Sequence, residues 1–143
     1  HMNVFFDVDY TLIAMDGSLR PKSLETLQNL KNDGHDLYVW SGNGIRTREM
    51  DKFELSPLLA GVYEKPLSDF EGGLADMGIP VRPDLVIDDY QGIVSYFGGV
   101  WVSPYFFHNA DDRDMERVYR IIKTVTENGE HEEVGYYPPR NSR

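Results

Sequence analysis

Apolar residues in this chain come in short blocks separated by longer amphipathic stretches. Val4-Phe5-Phe6, Leu37-Tyr38-Val39-Trp40, Gly61-Val62-Tyr63, Leu85-Val86-Ile87 and Val100-Trp101-Val102 are continuous short runs. Runs of that kind read as strands covered on both faces, as in a parallel sheet. Between them apolar positions recur at helical spacing. Leu24, Leu27 and Leu30 follow Pro21; Phe70, Leu74 and Met77 follow a capping Ser68 or Asp69; Met115, Val118, Ile121, Ile122 and Val125 follow Asp111 or Asp112. Ile45 to Phe53 reads as a further helix, interrupted beyond its end by Pro57. Gly34, Gly78 and Gly129 are placed to end helices. Asp16-Gly17-Ser18 signals a turn, with room for a small hairpin and not for a domain. This alternation predicts an α/β domain over residues 2–128, built on a central, mostly parallel five-stranded sheet. Residues 129–143, with Pro138-Pro139, read as a flexible tail, and His1 ahead of Met2 as an expression scar.

Four of these strands run straight into polar residues. The first ends at Asp7 and Asp9, the second at Ser41, the third at Lys65 and the fourth at Asp88-Asp89. In a doubly wound sheet those ends share one rim, where ligands bind. An isolated Asp-Val-Asp reads more simply as a strand ending in solvated acids. Four complementary strand ends in succession argue for chemistry. Carboxylates from two strands, with no cysteine or clustered histidine, suit a hard cation such as Mg²⁺. Ser41, with backbone N–H groups around Gly42 in the Gly42-Asn43-Gly44 turn, makes an anion seat, and Lys65 supplies a point charge suited to phosphate. The sum is a site for a phosphoryl group beside a divalent metal.

Composition bounds the partners. The 143 residues carry 14 basic and 24 acidic side chains, a formal net charge of −10, which disfavours non-specific nucleic-acid binding and anionic membrane surfaces. The chain has no cysteine, so disulfides, thiol nucleophiles and thiolate metal sites are excluded. The opening apolar run is too short for a signal peptide or a membrane span, and the expected setting is cytoplasmic. The expected partner is a phosphorylated substrate, either a small molecule or a bulky phosphoester. Oligomeric state is not legible.

Asp7-Val8-Asp9-Tyr10-Thr11, then Ser41, Lys65 and Asp88-Asp89, resemble the four ordered motifs of the haloacid dehalogenase (HAD) superfamily, over about the first two-thirds of the chain. The resemblance implies a three-layer Rossmann-like, HAD-like domain and a phosphatase that works through a covalent aspartyl phosphate. It makes Asp7 the nucleophile and Asp9 the general acid and base. It assigns Mg²⁺ to Asp7, the Asp9 main-chain carbonyl and Asp89, with Asp88 in support. Ser41, Gly42 and Lys65 would bind the phosphate, and Thr11 would steady the loop. A second Asp, here Asp9, resembles the phosphatase branch and not the dehalogenases. Tyr10 departs from the glycine often found there, and Gly92-Ile93 stand where many members carry a further Asp or Asn. Leu12 to Pro21 and Ile45 to Ala60 leave no room for a cap domain, so an open site is expected. The alternative is a catalytically silent or signalling phosphoacceptor domain on the same scaffold. In a receiver-type module, however, lysine comes last and a phosphorylated Asp ends the third strand. His35 and His108 read as surface histidines, Tyr105-Phe106-Phe107-His108 as core or a partner surface, and Arg46 and Arg48 as a solvated helix face near the phosphate seat. A hold on a second anionic group is the further possibility for those arginines.

Overall fold

The computed structural model describes residues 1–140. Its strands are β1 (Asn3–Asp7), β2 (Asp36–Ser41), β3 (Gly61–Glu64), β4 (Leu85–Asp88), β5 (Gly99–Trp101) and β6 (Tyr136–Tyr137). They form one sheet in the order β3-β2-β1-β4-β5-β6, parallel except for β6. The helices are α1 (Ser23–Asn32), α2 (Thr47–Lys52), α3 (Phe70–Asp76), α4 (Gln91–Phe97) and α5 (Asp114–Asn128). The chain steps outward from β1 to β3 and then returns to the other side of β1 with β4. The strand order therefore reverses between β1 and β4, which is where such sheets open a ligand crevice.

The alternation of side chains along β1 explains the layers. Val4 and Phe6 face one side and Phe5 the other, and all three are fully buried. On the first face, Val39, Leu85 and Ile87 meet Leu27 and Leu30 of α1, Met50 of α2 and the apolar stripe of α5. On the other, Tyr38, Trp40 and Val86 meet Leu74 of α3 and Ile93, Val94 and Phe97 of α4. Helices thus cover the sheet on both sides, and its strands need no polar face. No helix is long and apolar enough to cross a membrane among the described residues.

Three expectations are corrected, and one helix is added. The sheet has six strands, because Tyr136 and Tyr137 pair with Val100 and Gly99. The segment after Gly129 is therefore anchored at that point and is not loose throughout; residues 141–143 lie outside the described residues. A helix, α4, occupies Gln91–Phe97; it was unforeseen because Gly92 and the Gly98-Gly99 pair mask its short apolar stripe. His35 is buried and not on the surface, its Nδ1 accepting the Met2 N–H at 3.1 Å. His108 is exposed, as expected.

Gly99 sits at φ +141°, and a Cβ there would lie 1.9 Å from the Val86 carbonyl oxygen. That obstacle is backbone on a paired strand and cannot yield cheaply. Gly99→Ala is expected to cost about 3 kcal/mol or more, read as a lower urea midpoint. Burial, with the N-terminal charge, holds the His35 imidazole below its ordinary value. The unfolded chain then binds the proton more readily, so this stabilisation is complete above the ordinary histidine range and is lost as pH falls below it. Thermal melts between neutral and mildly acidic pH should show a steeper acid loss in the native protein than in His35→Gln.

Candidate active site

Asp7 is the last residue of β1, beside Trp40 of β2, and the adjacent strand β4 ends at Asp88. The two acids therefore emerge side by side at the strand-order reversal. Beyond Asp7 the chain winds into a single tight turn. The Val8 carbonyl accepts the N–H groups of Thr11, Leu12 and Ile13 at 3.2, 2.9 and 3.0 Å. That turn puts Tyr10 at φ +66°, a left-handed conformation that costs a non-glycine residue about 1–2 kcal/mol. Its carbonyl accepts the Tyr105 N–H at 2.8 Å, and its ring lies 5.4 Å from that of Phe106. A glycine would adopt the turn without strain, but it would bring no ring.

Thr11 is buried, and its hydroxyl lies 3.2 Å from Asp7 Oδ2 and 3.4 Å from Asp89 Oδ1, while accepting the Asp89 N–H at 3.2 Å. It ties the loop after β1 to the acidic pair after β4. Arg20, which sequence reasoning left unassigned, braces the same loop. Its guanidinium is 1% exposed; it donates to the Thr11 and Ser103 carbonyls and pairs with Asp112 and Asp114. Nothing in a lone arginine before a proline announces such a clasp, because its partners lie some ninety residues on.

Lys65, from the loop after β3, is buried between two carboxylates. Its Nζ lies 3.1 Å from Asp7 Oδ1 and 3.0 Å from Asp88 Oδ2. Asp88 is wholly buried, and its other oxygen accepts the Tyr90 N–H at 2.9 Å. Burial lowers the Lys65 ammonium, but Asp7 and Asp88 outweigh it and hold the group above its ordinary value. Burial, reinforced by Asp88, raises the Asp7 carboxyl well above its ordinary value despite Lys65. Burial also raises Asp88, against the pull of Lys65.

Asp7, Asp88 and Asp89 each offer an oxygen, all within 4.8 Å of one another. Three carboxylates against one ammonium leave excess negative charge where water cannot disperse it. All-oxygen donors with that excess fit a hard divalent cation such as Mg²⁺.

Asp9 points to another set of partners. Its Oδ2 accepts from Asn43 Nδ2 at 2.6 Å and from Arg46 Nη1 at 2.6 Å, and lies 3.5 Å from Ser41 Oγ. Arg46 is not on a solvated face: it precedes α2, turns inward, and its Nε pairs with Glu49. Asn43 and the inward Arg46 are the two contributors that periodicity missed, since both lie in the turn after β2 and not on a periodic element. The Gly42-Asn43-Gly44 turn does not open a helix directly, because α2 begins at Thr47. The candidate anion seat is accordingly the turn itself, in which Ser41 Oγ accepts the Asn43 N–H at 3.1 Å. A Cβ on Gly42 would meet Leu67, whose side chain lies over it.

Asp7, Asp9, Ser41, Gly42, Lys65, Asp88 and Asp89 all line one cleft of about 220 Å³. Thr11 stands behind it as a brace. Of the aromatic segment, Tyr105 is core, whereas Phe106 and Phe107 are exposed beside the loop after β1. No family model, curated protein or solved structure matches this chain.

Two outcomes test the electrostatics. The folded chain holds a proton on Asp7 more tightly than the unfolded chain does, so without a divalent cation stability falls as pH rises through the raised Asp7 value. Asp7→Asn removes that penalty and should melt about 3 °C or more above the native protein at neutral pH in chelator, by calorimetry. Lys65→Met leaves two buried acids without their counter-charge. It should lose about 3–5 kcal/mol at neutral pH in denaturant titration, and recover part of that in acid.

Proposed function

We propose that this protein is a Mg²⁺-dependent phosphatase of the HAD-like, capless kind, hydrolysing a phosphomonoester through a covalent phosphate on Asp7. The observation that supports this most is the convergence of four strand ends on one cleft: a buried Asp7, a separately held Asp9, the Ser41 turn with Lys65, and an acidic trio able to hold a cation.

In this reading Asp7, Asp88 and Asp89 would hold Mg²⁺, which when bound would neutralise charge so that a carboxylate and a phosphate can approach. Ser41, the N–H groups around Gly42 and the Lys65 ammonium orient the phosphoryl oxygens at the cleft floor. One carboxylate oxygen of Asp7 attacks phosphorus, and the bond to the leaving oxygen breaks as that oxygen takes a proton from Asp9. Water then attacks the phosphorus of the aspartyl phosphate, and its proton passes to Asp9. The bond to Asp7 breaks, releasing phosphate and restoring both carboxyls. Asn43 and Arg46 hold Asp9 by Oδ2. They orient it toward the mouth of the cleft, away from the cluster around Asp7.

The test is hydrolysis of an aryl phosphate with Mg²⁺ and with chelator. Activity should require the metal, vanish in Asp7→Asn and fall about 10²–10⁴-fold in Asp9→Asn. Turnover that survives Asp7→Asn overturns the covalent route. A stable phosphoprotein without turnover would place the chain among phosphoacceptor domains instead.

A further inference from the structure

The cleft at the strand ends, about 220 Å³, has room for a phosphoryl group and little else. A second cleft of about 440 Å³ opens beside it, between the loop after β1 and α2, and Asp9, Tyr10 and Asn43 line both. Its size falls in the range of about 300–1,000 Å³ occupied by small-molecule ligands. Building on the phosphatase reading, we infer that the second cleft receives the leaving group and is built for a nucleoside, so that the substrate is a nucleoside monophosphate.

The direction of entry is set by Asp9. A group that protonates the leaving oxygen must stand between the phosphoryl group and what departs, and Asp9 stands on the boundary of the two clefts. The other neighbouring cleft, beyond Lys65, contains no Asp9 and carries Glu64, Asp69 and Asp76, a poor setting for an anionic ester.

The two walls have opposite characters. The side formed by the loop after β1 is apolar: Tyr10, Ile13, Ala14 and Met15. Tyr10 is stiffened from behind by Phe106, whose carbonyl accepts the Met15 N–H at 2.8 Å, so the ring is a braced platform. The side formed by the turn after β2 and by α2 is mainly polar, with Asn43, Arg46, Glu49 and Lys52, and Phe53 at its end. Asp9 and Glu49, both paired with Arg46, balance the charges of Arg46 and Lys52, so this side is about neutral and offers donors and acceptors and not a cluster of positive charge for a second phosphate. A flat heterocycle with a polar edge uses both walls at once, its face on Tyr10 and its edge toward Asn43, Arg46 and Glu49. A hexose would press hydroxyls on the apolar wall, and an acyclic ester would leave the space unfilled.

Steady-state kinetics with Mg²⁺ on adenosine monophosphate, glucose 6-phosphate and glycerol phosphate decide the matter. The kcat/KM for the nucleotide should exceed the others by about tenfold or more, the scale of stacking a base on an aromatic side chain. Tyr10→Gly keeps the turn but removes the ring, and should collapse that ratio mainly through the nucleotide's KM. All three hydrolysed with equal or reversed preference overturns the inference and leaves the phosphatase reading standing. If none is hydrolysed while the aryl phosphate is, the inference is overturned and the phosphatase reading stands; if the aryl phosphate is not hydrolysed either, that reading fails, and calorimetry on Asp7→Asn with Mg²⁺ tests the cleft alone. Adenosine monophosphate binding about tenfold more tightly than glucose 6-phosphate supports it; equal affinity, or no binding, overturns it.

Discussion

The ammonium of Lys65 between Asp7 and Asp88 is the contact on which the rest of the rim depends. It joins three strands that are not consecutive neighbours: β1, the loop after β3, and β4 on the opposite side of the strand-order reversal. Two buried carboxylates cannot be placed at adjacent strand ends without such a partner, and one ammonium cannot neutralise both together with Asp89. The shortfall is what makes the cluster a candidate seat for a divalent cation.

The two aspartates of the Asp7-Val8-Asp9 stretch, one residue apart, live in different electrostatic surroundings. Asp7 faces inward to Lys65 and Thr11, whereas Asp9 faces Asn43 and Arg46 at the mouth. Strand alternation alone does not produce that split, since residues two apart point the same way in a regular strand. The tight turn on the Val8 carbonyl does, by ending the extended backbone at once and turning Asp9 aside. The left-handed Tyr10 is the local cost of this geometry, offset by its carbonyl's bond to Tyr105 and its ring contact with Phe106.

Much of the architecture could be read from the chain because the buried runs were short, continuous and each closed by a polar residue. Asp7, Ser41, Lys65 and Asp88-Asp89 are legible for that reason: strand ends are where hydrophobic patterning stops. Features held by distant or aperiodic contacts were not. Arg20, His35 and Arg46 are polar residues whose burial depends on partners or neighbouring segments that periodicity cannot locate. β6 is only two residues long and is recruited by the free edge of β5, a tertiary effect with no local signal. α4 was hidden by its glycines, although Ile93, Val94 and Phe97 do form a stripe once the helix is known.

The pairing of β6 also bears on how copies of the chain meet one another in concentrated solution. By covering β5 it leaves the two-residue β6 itself as one margin of the sheet and β3 as the other. The β3 margin is four residues long, starts with a glycine and ends on the exposed charge of Glu64. Short, charged margins make poor templates for strand-to-strand stacking between molecules. Tyr136 and Tyr137 thus cover the β5 edge, on which Val100 and Trp101 would otherwise present unpaired backbone, and replace it with a margin only two residues long.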